Sequence, residues 1–161
     1  MYATSTGGAI TKAGMDGSNS VPLITGLLDP HGIVIDFSVS RLFWAEAGLN
    51  AIQSSNLAGG DIRKIVTLPA SSGPVGLAIH GNKLYWGTHT SKLLQSSTKT
   101  GENIRTLYTS ASLIEQVTLA TKNLTRTRRN HCDGQSCSGV CVLTTTAYRC
   151  LNTFSSRFRM K

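Results

Sequence analysis

A repeat of 42 residues constrains the fold of this chain more than any other feature of its sequence. Three apolar residues take the same place in successive units, and a turn glycine follows each of them seven residues later. The apolar positions are Ile10, Ile52 and Leu94, and the glycines are Gly17, Gly59 and Gly101. A period near 40 with about four short strands per unit is typical of β-propeller blades. The repeat therefore predicts an all-β fold built from such blades.

Each complete unit is predicted to contain four strands. The middle unit places them at residues 31–36, 41–46, 50–57 and 62–66, and the next unit at 75–79, 83–88, 92–98 and 104–108. The first strand of a unit is apolar because it packs on both faces, whereas the last alternates because one of its faces meets water. Between the first two strands of the later unit, His80-Gly81-Asn82 has the composition of a hairpin turn.

The period also predicts what lies at the two ends of the repeat. Tyr2 lies 42 residues before Trp44, so we expect the chain to begin inside a blade, at its aromatic strand. Residues 113–119 fall where another inner strand is due, and no aromatic strand follows them. We therefore expect the propeller pattern to stop there, after about two to three four-stranded blades in residues 1–120.

The remainder of the chain is basic and contains all the cysteines. We predict a basic linker at residues 121–130, a small disulfide-stapled module at 131–151 and a disordered tail at 152–161. The cysteines are Cys132, Cys137, Cys141 and Cys150. Their clustering indicates an oxidising, extracellular compartment, although sequence alone allows three pairings. In the linker, Asn123 opens the N-glycosylation sequence Asn-Leu-Thr.

Metal binding by the cysteine segment is the alternative to disulfides. A zinc site could use His131 and the cysteines, but the segment lacks the close Cys-x-x-Cys pairs of zinc knuckles. Calcium is disfavoured because basic residues precede Cys132 where acidic ligands would be needed. We predict neither a metal nor a cofactor.

Charge and motif content argue against several other functions. The net charge of +8 is concentrated in the last forty residues without an aromatic-and-basic surface pattern, which disfavours nucleic acid as a partner.

No apolar run approaches the roughly 20 residues of a membrane span, and the first residues lack the features of a signal peptide. The histidines lie in separate turns and no nucleophile elbow or phosphate loop is present, so no catalytic residues and no enzyme are predicted.

Two stretches resemble a known family. Phe43-Trp44-Ala45-Glu46 and Tyr85-Trp86-Gly87-Thr88 are similar to the Tyr-Trp-Thr-Asp, or class B, repeat of the low-density lipoprotein receptor family. In that family six repeats close into a propeller, and a module like epidermal growth factor (EGF-like) follows. The cysteine segment is similar to the opening of that module, although a fifth cysteine is missing near Asn152. The resemblance thus implies a partial six-bladed-type propeller and a truncated EGF-like module.

The resemblance also implies roles for individual residues. It pairs Cys132 with Cys141 and Cys137 with Cys150. The repeated aromatic side chains are expected to pack between blades, since they recur at the same place in each blade; they are Phe43, Trp44, Tyr85 and Trp86. The acidic side chains of Asp16, Asp36 and Glu46 are expected to hold turns and neighbouring strands.

For function, the resemblance implies an extracellular, non-catalytic, protein-binding fragment of a receptor ectodomain at the cell surface. Its role would be ligand uptake or signalling as a co-receptor. The expected partners are secreted signalling factors, their antagonists or lipoproteins, and the oligomeric state is left open. The alternatives are a nidogen-like structural protein of the extracellular matrix, or a truncated fragment without autonomous function.

Overall fold

The structure is a computed structural model that describes residues 2–5, 7–120, 139–145 and 148–151. This part of the chain forms four antiparallel sheets. The first sheet contains β1 (Tyr2–Ser5), β2 (Ala9–Lys12) and β3 (Val21–Ile24), and the second contains β4 (Pro30–Asp36), β5 (Arg41–Glu46), β6 (Ala51–Asn56) and β7 (Arg63–Thr67). The third sheet contains β8 (Pro74–His80), β9 (Lys83–Thr88), β10 (Leu93–Thr98) and β11 (Arg105–Thr109). The fourth sheet contains β12 (Ile114–Ala120), β13 (Gly139–Thr144) and β14 (Tyr148–Leu151).

The helical content of the described residues is one turn of 3-10 helix at Ala47–Leu49. None of these residues forms a helix that is long and apolar enough to cross a membrane.

The second and third sheets are the two complete blades, and they confirm the predicted four-strand units. Each runs in sequence order from an inner strand to an outer one, as short connections between antiparallel strands require. The observed bounds differ from the predicted ones by at most one residue at either end. The outer strands β7 and β11 are largely exposed, whereas the aromatic strands β5 and β9 are buried almost throughout. We call these sheets blade 2 and blade 3.

The first sheet, blade 1, begins at the aromatic strand, as the period predicts. Tyr2 pairs with Lys12 of β2, and the sheet order is β1-β2-β3. A third strand completes the described sheet, with Ile10 paired to Ile24. The inner-strand position occupied by β4 and β8 in the complete blades has no counterpart in this sheet.

The fourth sheet differs from the expectation that the pattern stops after residues 113–119. The inner strand β12 forms where it was predicted, but β13 then pairs with it, from Thr144 opposite Ile114 to Gly139 opposite Ala120. The hairpin of β13 and β14 lies within the predicted EGF-like module. Val140 and Val142 pack with Ile114 and Val117 in one buried cluster, so apolar burial joins this distant segment to the sheet. Local periodicity could not show that pairing.

Glycines allow the inner strands of neighbouring blades to approach each other closely. A Cβ atom on Gly32 of β4 would lie 2.5 Å from the backbone nitrogen of Leu77 in β8. One on Gly76 of β8 would lie 2.4 Å from the nitrogen of Val117 in β12, and Gly76 also has a φ of 45°. Both residues fall at an irregularity in strand pairing. Side chains at these positions would push the blades apart.

The turn glycines of the repeat adopt one conformation in all three units. Their φ angles are 84° at Gly17, 84° at Gly59 and 89° at Gly101. In blades 2 and 3 the turn also lies against the preceding blade, because a Cβ on Gly59 would meet the carbonyl oxygen of Leu23 and one on Gly101 that of Ile65. The matched glycines thus reflect both a left-handed turn and contact between blades.

Candidate protein-binding face

The aromatic pairs of the class B-like motif are buried and point to opposite sides of each blade. Trp44 packs with Ile10 and Ile24 of blade 1, while the neighbouring Phe43 packs in the core between blades 2 and 3. Trp86 packs in that same core, and Tyr85 faces the fourth sheet. Trp44 and Trp86 have no exposed surface, and Tyr85 retains 5%. These rings are therefore buried and not available for direct contact with a ligand.

A buried carboxylate accompanies one of the two tryptophans. Glu46 is fully buried, and its Oε2 accepts a hydrogen bond of 2.9 Å from Trp44 Nε1. Within the described residues, Glu46 Oε1 and Trp86 Nε1 have no hydrogen-bond partner. The residue at the Glu46 position of blade 3 is Thr88, whose hydroxyl bonds to the backbone of Leu93 at the start of the next strand. Glu46 and Thr88 thus occupy the same strand position but have different hydrogen-bond partners, a tryptophan side chain for Glu46 and the backbone of the next strand for Thr88.

Loops from blades 2 and 3 enclose an open cleft at one end of the sheets. We call it the loop-face cleft; it measures about 450 Å³. Asp29 and His31 come from the entry to β4, Asn50 from the β5–β6 connection, and Ser71 and Thr90 from the loops around blade 3. The lining is mixed polar and apolar and comes from four connections, the type of surface that propellers offer to other proteins.

Local backbone geometry builds this cleft in the same way in both blades. Asp29 and Ser71 precede the inner strands with φ of 90° and 60°, and Asn50 and Lys92 precede the third strands with φ of 47° and 55°. Asn50 also joins the two blades, because its Oδ1 accepts a hydrogen bond of 3.1 Å from the backbone nitrogen of Gly73. Hydrogen bonds between connections therefore fix the loops that line the cleft.

The acidic and imidazole side chains of the cleft are exposed or half-buried. His31 Nε2 lies 3.1 Å from Asp29 Oδ1, and both side chains are substantially exposed. His89, in the β9–β10 connection, is exposed on the blade 3 side of the same cleft. Exposed, adaptable polar groups around a concavity are suited to contacts with a protein surface.

Asp16 and Asp36 hold turns, as predicted. Asp16 Oδ1 accepts hydrogen bonds from the backbone and hydroxyl of Ser18, and these bonds lower the pKa of its carboxyl. Asp36 makes the same pair of bonds to Ser38 and an ion pair with Lys99. Burial opposes ionisation of Asp36, but the Lys99 and Ser38 hydrogen bonds outweigh it, so its pKa is lowered. Both carboxylates have structural partners and lie outside the loop-face cleft.

The predicted cysteine module lies only partly within the described residues. Cys141 and Cys150 face each other in the register of β13 and β14, and both are disulfide-bonded. Cys132, Cys137, His131 and the linker with Asn123 lie outside the described residues, so the predicted pairing, module boundaries and glycosylation stay predictions. Among the residues that the structure does describe, no cluster of three or more His, Cys, Asp or Glu could hold a metal ion.

Sequence reasoning missed the residues that line the cleft, because they share no motif. The repeat nevertheless contains information about the connections between its strands. Asn50 and Lys92 are separated by the 42-residue period, and each adopts the left-handed conformation just before a third strand. Comparing the connections of the two units, as well as their strands, would have indicated where the loops converge.

Comparison with known proteins places the repeat in a family, although no protein-family model matches the chain. Low-density lipoprotein receptor-related protein 5 of Mus musculus is 30% identical over 143 residues, which cover 83% of this chain and 8% of that protein. The vitellogenin receptor of Solenopsis invicta is 31% identical over 136 residues, with the same two shares. The chain belongs to the low-density lipoprotein receptor family. Its 42-residue units are class B repeats of that family, and the chain spans about 8% of the length of these relatives.

Solved structures agree on the fold of these class B repeats. A structure of the nidogen/laminin complex matches with a TM-score of 0.70 and 22% identity, covering 89% of this chain and 52% of the other. A streptogramin B lyase matches with a TM-score of 0.63 and 18% identity, covering 95% and 51%. At these identities the likeness shows the fold alone, and it supports a partial β-propeller.

Proposed function

We propose that this chain is a protein-binding, non-catalytic part of a receptor ectodomain at the cell surface, and that its loop-face cleft contacts extracellular protein ligands. The observation that carries the proposal is the convergence of four connections from two class B blades on one open concavity with a mixed polar and apolar lining. Membership of a family whose relatives here are receptors supports the receptor setting. Uptake of a ligand and signalling as a co-receptor are both compatible with this surface.

The chemistry of the cleft favours binding over catalysis. Its polar side chains are exposed or half-buried, and the buried carboxylate nearest in sequence, Glu46, bonds to Trp44 within the core. General acid–base catalysis needs a positioned titratable group that reaches a bound substrate. The His31–Asp29 pair is substantially exposed, so a protein ligand can contact it and bulk water also has access. We therefore assign it to recognition.

Direct binding measurements test the proposal. The secreted chain would be immobilised and exposed to low-density lipoprotein particles, to vitellogenin and to laminin, since the names of the relatives and of the nidogen/laminin structure suggest these probes. Saturable binding of lipoprotein or vitellogenin would support the receptor proposal. Binding of laminin alone would favour the alternative of a nidogen-like matrix protein.

A histidine series locates the contact. Replacing His31 and His89 together by alanine is expected to weaken binding about 10-fold, because the double change removes a contact on each side of the cleft. His80→Ala is the matched control, because His80 ends β8 at the opposite end of the sheet. Equal losses in both variants, or no binding of any probe by the folded chain, would contradict the proposal.

A further inference from the structure

A second concave surface lies at the opposite end of blades 2 and 3 from the loop-face cleft. It measures about 440 Å³, and we call it the basic groove. Its walls come from β5 and β7 of blade 2 and from the β8–β9 and β10–β11 turns of blade 3. The two ends differ because the connections entering β4 and β8 line the cleft, whereas the turns leaving these strands flank the groove. We propose that the basic groove binds an extended acidic protein segment that carries an apolar side chain.

Four of the nine residues that line the groove are cationic. Arg41, Arg63, Lys64 and Lys99 line it, and the two carboxylates that contact them are Asp36 and Asp61. Four cations against two carboxylates leave an excess of positive charge. Lys64 is exposed on β7. Its side chain makes no hydrogen bond or ion pair within the described part of the chain, so its ammonium group is available to a partner. Charge of one sign in a concave surface attracts and orients a segment of opposite charge.

The arginines of the groove are held in place before any partner binds. Arg41 donates to Ser54 Oγ at 3.0 Å, to the Asp61 carbonyl at 2.8 Å and to its carboxylate at 2.7 Å. Arg63 donates to the other Asp61 oxygen at 2.9 Å. The arginine hydrogen bonds lower the pKa of the Asp61 carboxyl, which keeps this clamp ionised. Fixed guanidinium groups lose little side-chain entropy on binding, which favours association.

An exposed apolar side chain, Val39, lines the groove, and a second, Phe37, lies two residues before it in the same turn. The β4–β5 turn contains four residues, whereas the β8–β9 turn contains two. In the longer turn, Phe37 is 78% exposed and Val39 is 51% exposed, and Val39 lines the groove. Asp36 holds this turn through Ser38 and Lys99. A held turn with an exposed valine beside the groove cations and an exposed phenylalanine two residues away matches a peptide with both acidic and apolar residues.

The occupant is a partner and not another part of this chain. Residues 121–138 and 152–161 carry seven basic residues and one acidic residue, so like charge disfavours either segment. A sulfated glycan would satisfy the cations but leave Phe37 and Val39 without a contact. The combined charge and apolar exposure therefore favour an acidic peptide.

A fluorescence polarisation experiment on the full chain tests this proposal. The probe is a fluorescein-labelled peptide Glu-Glu-Glu-Phe-Leu-Glu-Glu-Glu, and the control peptide has glutamine in place of every glutamate. We expect saturable binding of the acidic peptide at about 0.15 M salt, weakening as salt is raised. Lys64→Glu is expected to weaken binding about 10-fold, and Phe37→Ser about 3-fold or more.

Lys12→Glu is the matched control for charge, because Lys12 is an exposed strand lysine in blade 1, away from the groove. It should leave the affinity unchanged, and far-UV circular dichroism should show all variants folded. Equal binding of the glutamine peptide, equal weakening by Lys12→Glu, or saturable binding of a heparin oligosaccharide but not of the peptide would overturn the proposal. Since the probe and the variants differ from those of the loop-face experiments, either proposal can fail alone.

Discussion

Blades 2 and 3 are two copies of one unit, and they differ in the polar groups inside them. Trp44 and Trp86 take equivalent places, and neither has exposed surface. Trp44 donates to the buried carboxylate of Glu46, whereas Trp86 has no hydrogen-bond partner in the described structure. The repeat therefore preserves a buried tryptophan at this position. The hydrogen bonding of the indole nitrogen differs between the two blades.

A second difference between the blades lies in the turn that leaves the inner strand. Blade 2 uses four residues held by Asp36, and blade 3 uses two residues after His80. Only the longer turn contains the exposed Phe37 and Val39, and Val39 lines the basic groove. Blades 2 and 3 therefore have equivalent strands but different surfaces at the turns that leave their inner strands.

The largest expected effect tests the buried tryptophan that the two blades share. Trp44→Ala and Trp86→Ala should each lower the free energy of unfolding by about 3–5 kcal/mol, because each removes a fully buried ring and leaves a cavity. Urea unfolding followed by circular dichroism measures both. Met15→Ala, at an 88% exposed side chain, is the control and should change little. A small loss at either tryptophan would break the equivalence of the blades.

A smaller effect tests what the blades do not share. Trp44→Phe should destabilise the chain more than Trp86→Phe, by about 1–3 kcal/mol, since it leaves the buried Glu46 oxygen without its donor. Trp86→Phe removes a buried nitrogen that has no acceptor, so its cost is confined to the lost volume. The same urea titrations give the difference. Equal losses in the two variants would show that the Trp44–Glu46 bond contributes no net stability.

The smallest effect concerns the turn of blade 2 and depends on pH. Asp36→Asn should cost roughly 1–2 kcal/mol at neutral pH, because it removes the charge partner of Lys99. The pKa of Asp36 is lower in the folded chain, so its stabilisation is present above the unfolded pKa of about 3.9 and is lost as pH falls through the folded value. The penalty should therefore shrink in acid.

Unfolding free energies measured from neutral pH into acid check this expectation. Glu102→Gln removes an exposed carboxylate from the β10–β11 turn and serves as the control, with little change at any pH. A penalty for Asp36→Asn that is constant over this range would mean that the loss is steric and independent of charge.

The sequence alone determined the blades because their information is local and repeated. Alternation, aromatic positions and turn glycines recur every 42 residues, and each is set by contacts within one unit or with the next. The strands of blades 2 and 3, the start of blade 1 at Tyr2 and the turn roles of Asp16 and Asp36 all follow from such patterns. The family resemblance of the Phe43–Trp44 and Tyr85–Trp86 pairs rests on the same repetition.

Tertiary structure decided the features that depend on distant segments. The pairing of β13 with β12 joins residues 19 to 30 positions apart through the burial of Val140 and Val142, and no local period encodes it. The loop-face cleft and the basic groove likewise form only where connections from two blades meet. Surfaces of this kind depend on how blades pack side by side, because backbone contacts such as that at Gly76 set their spacing.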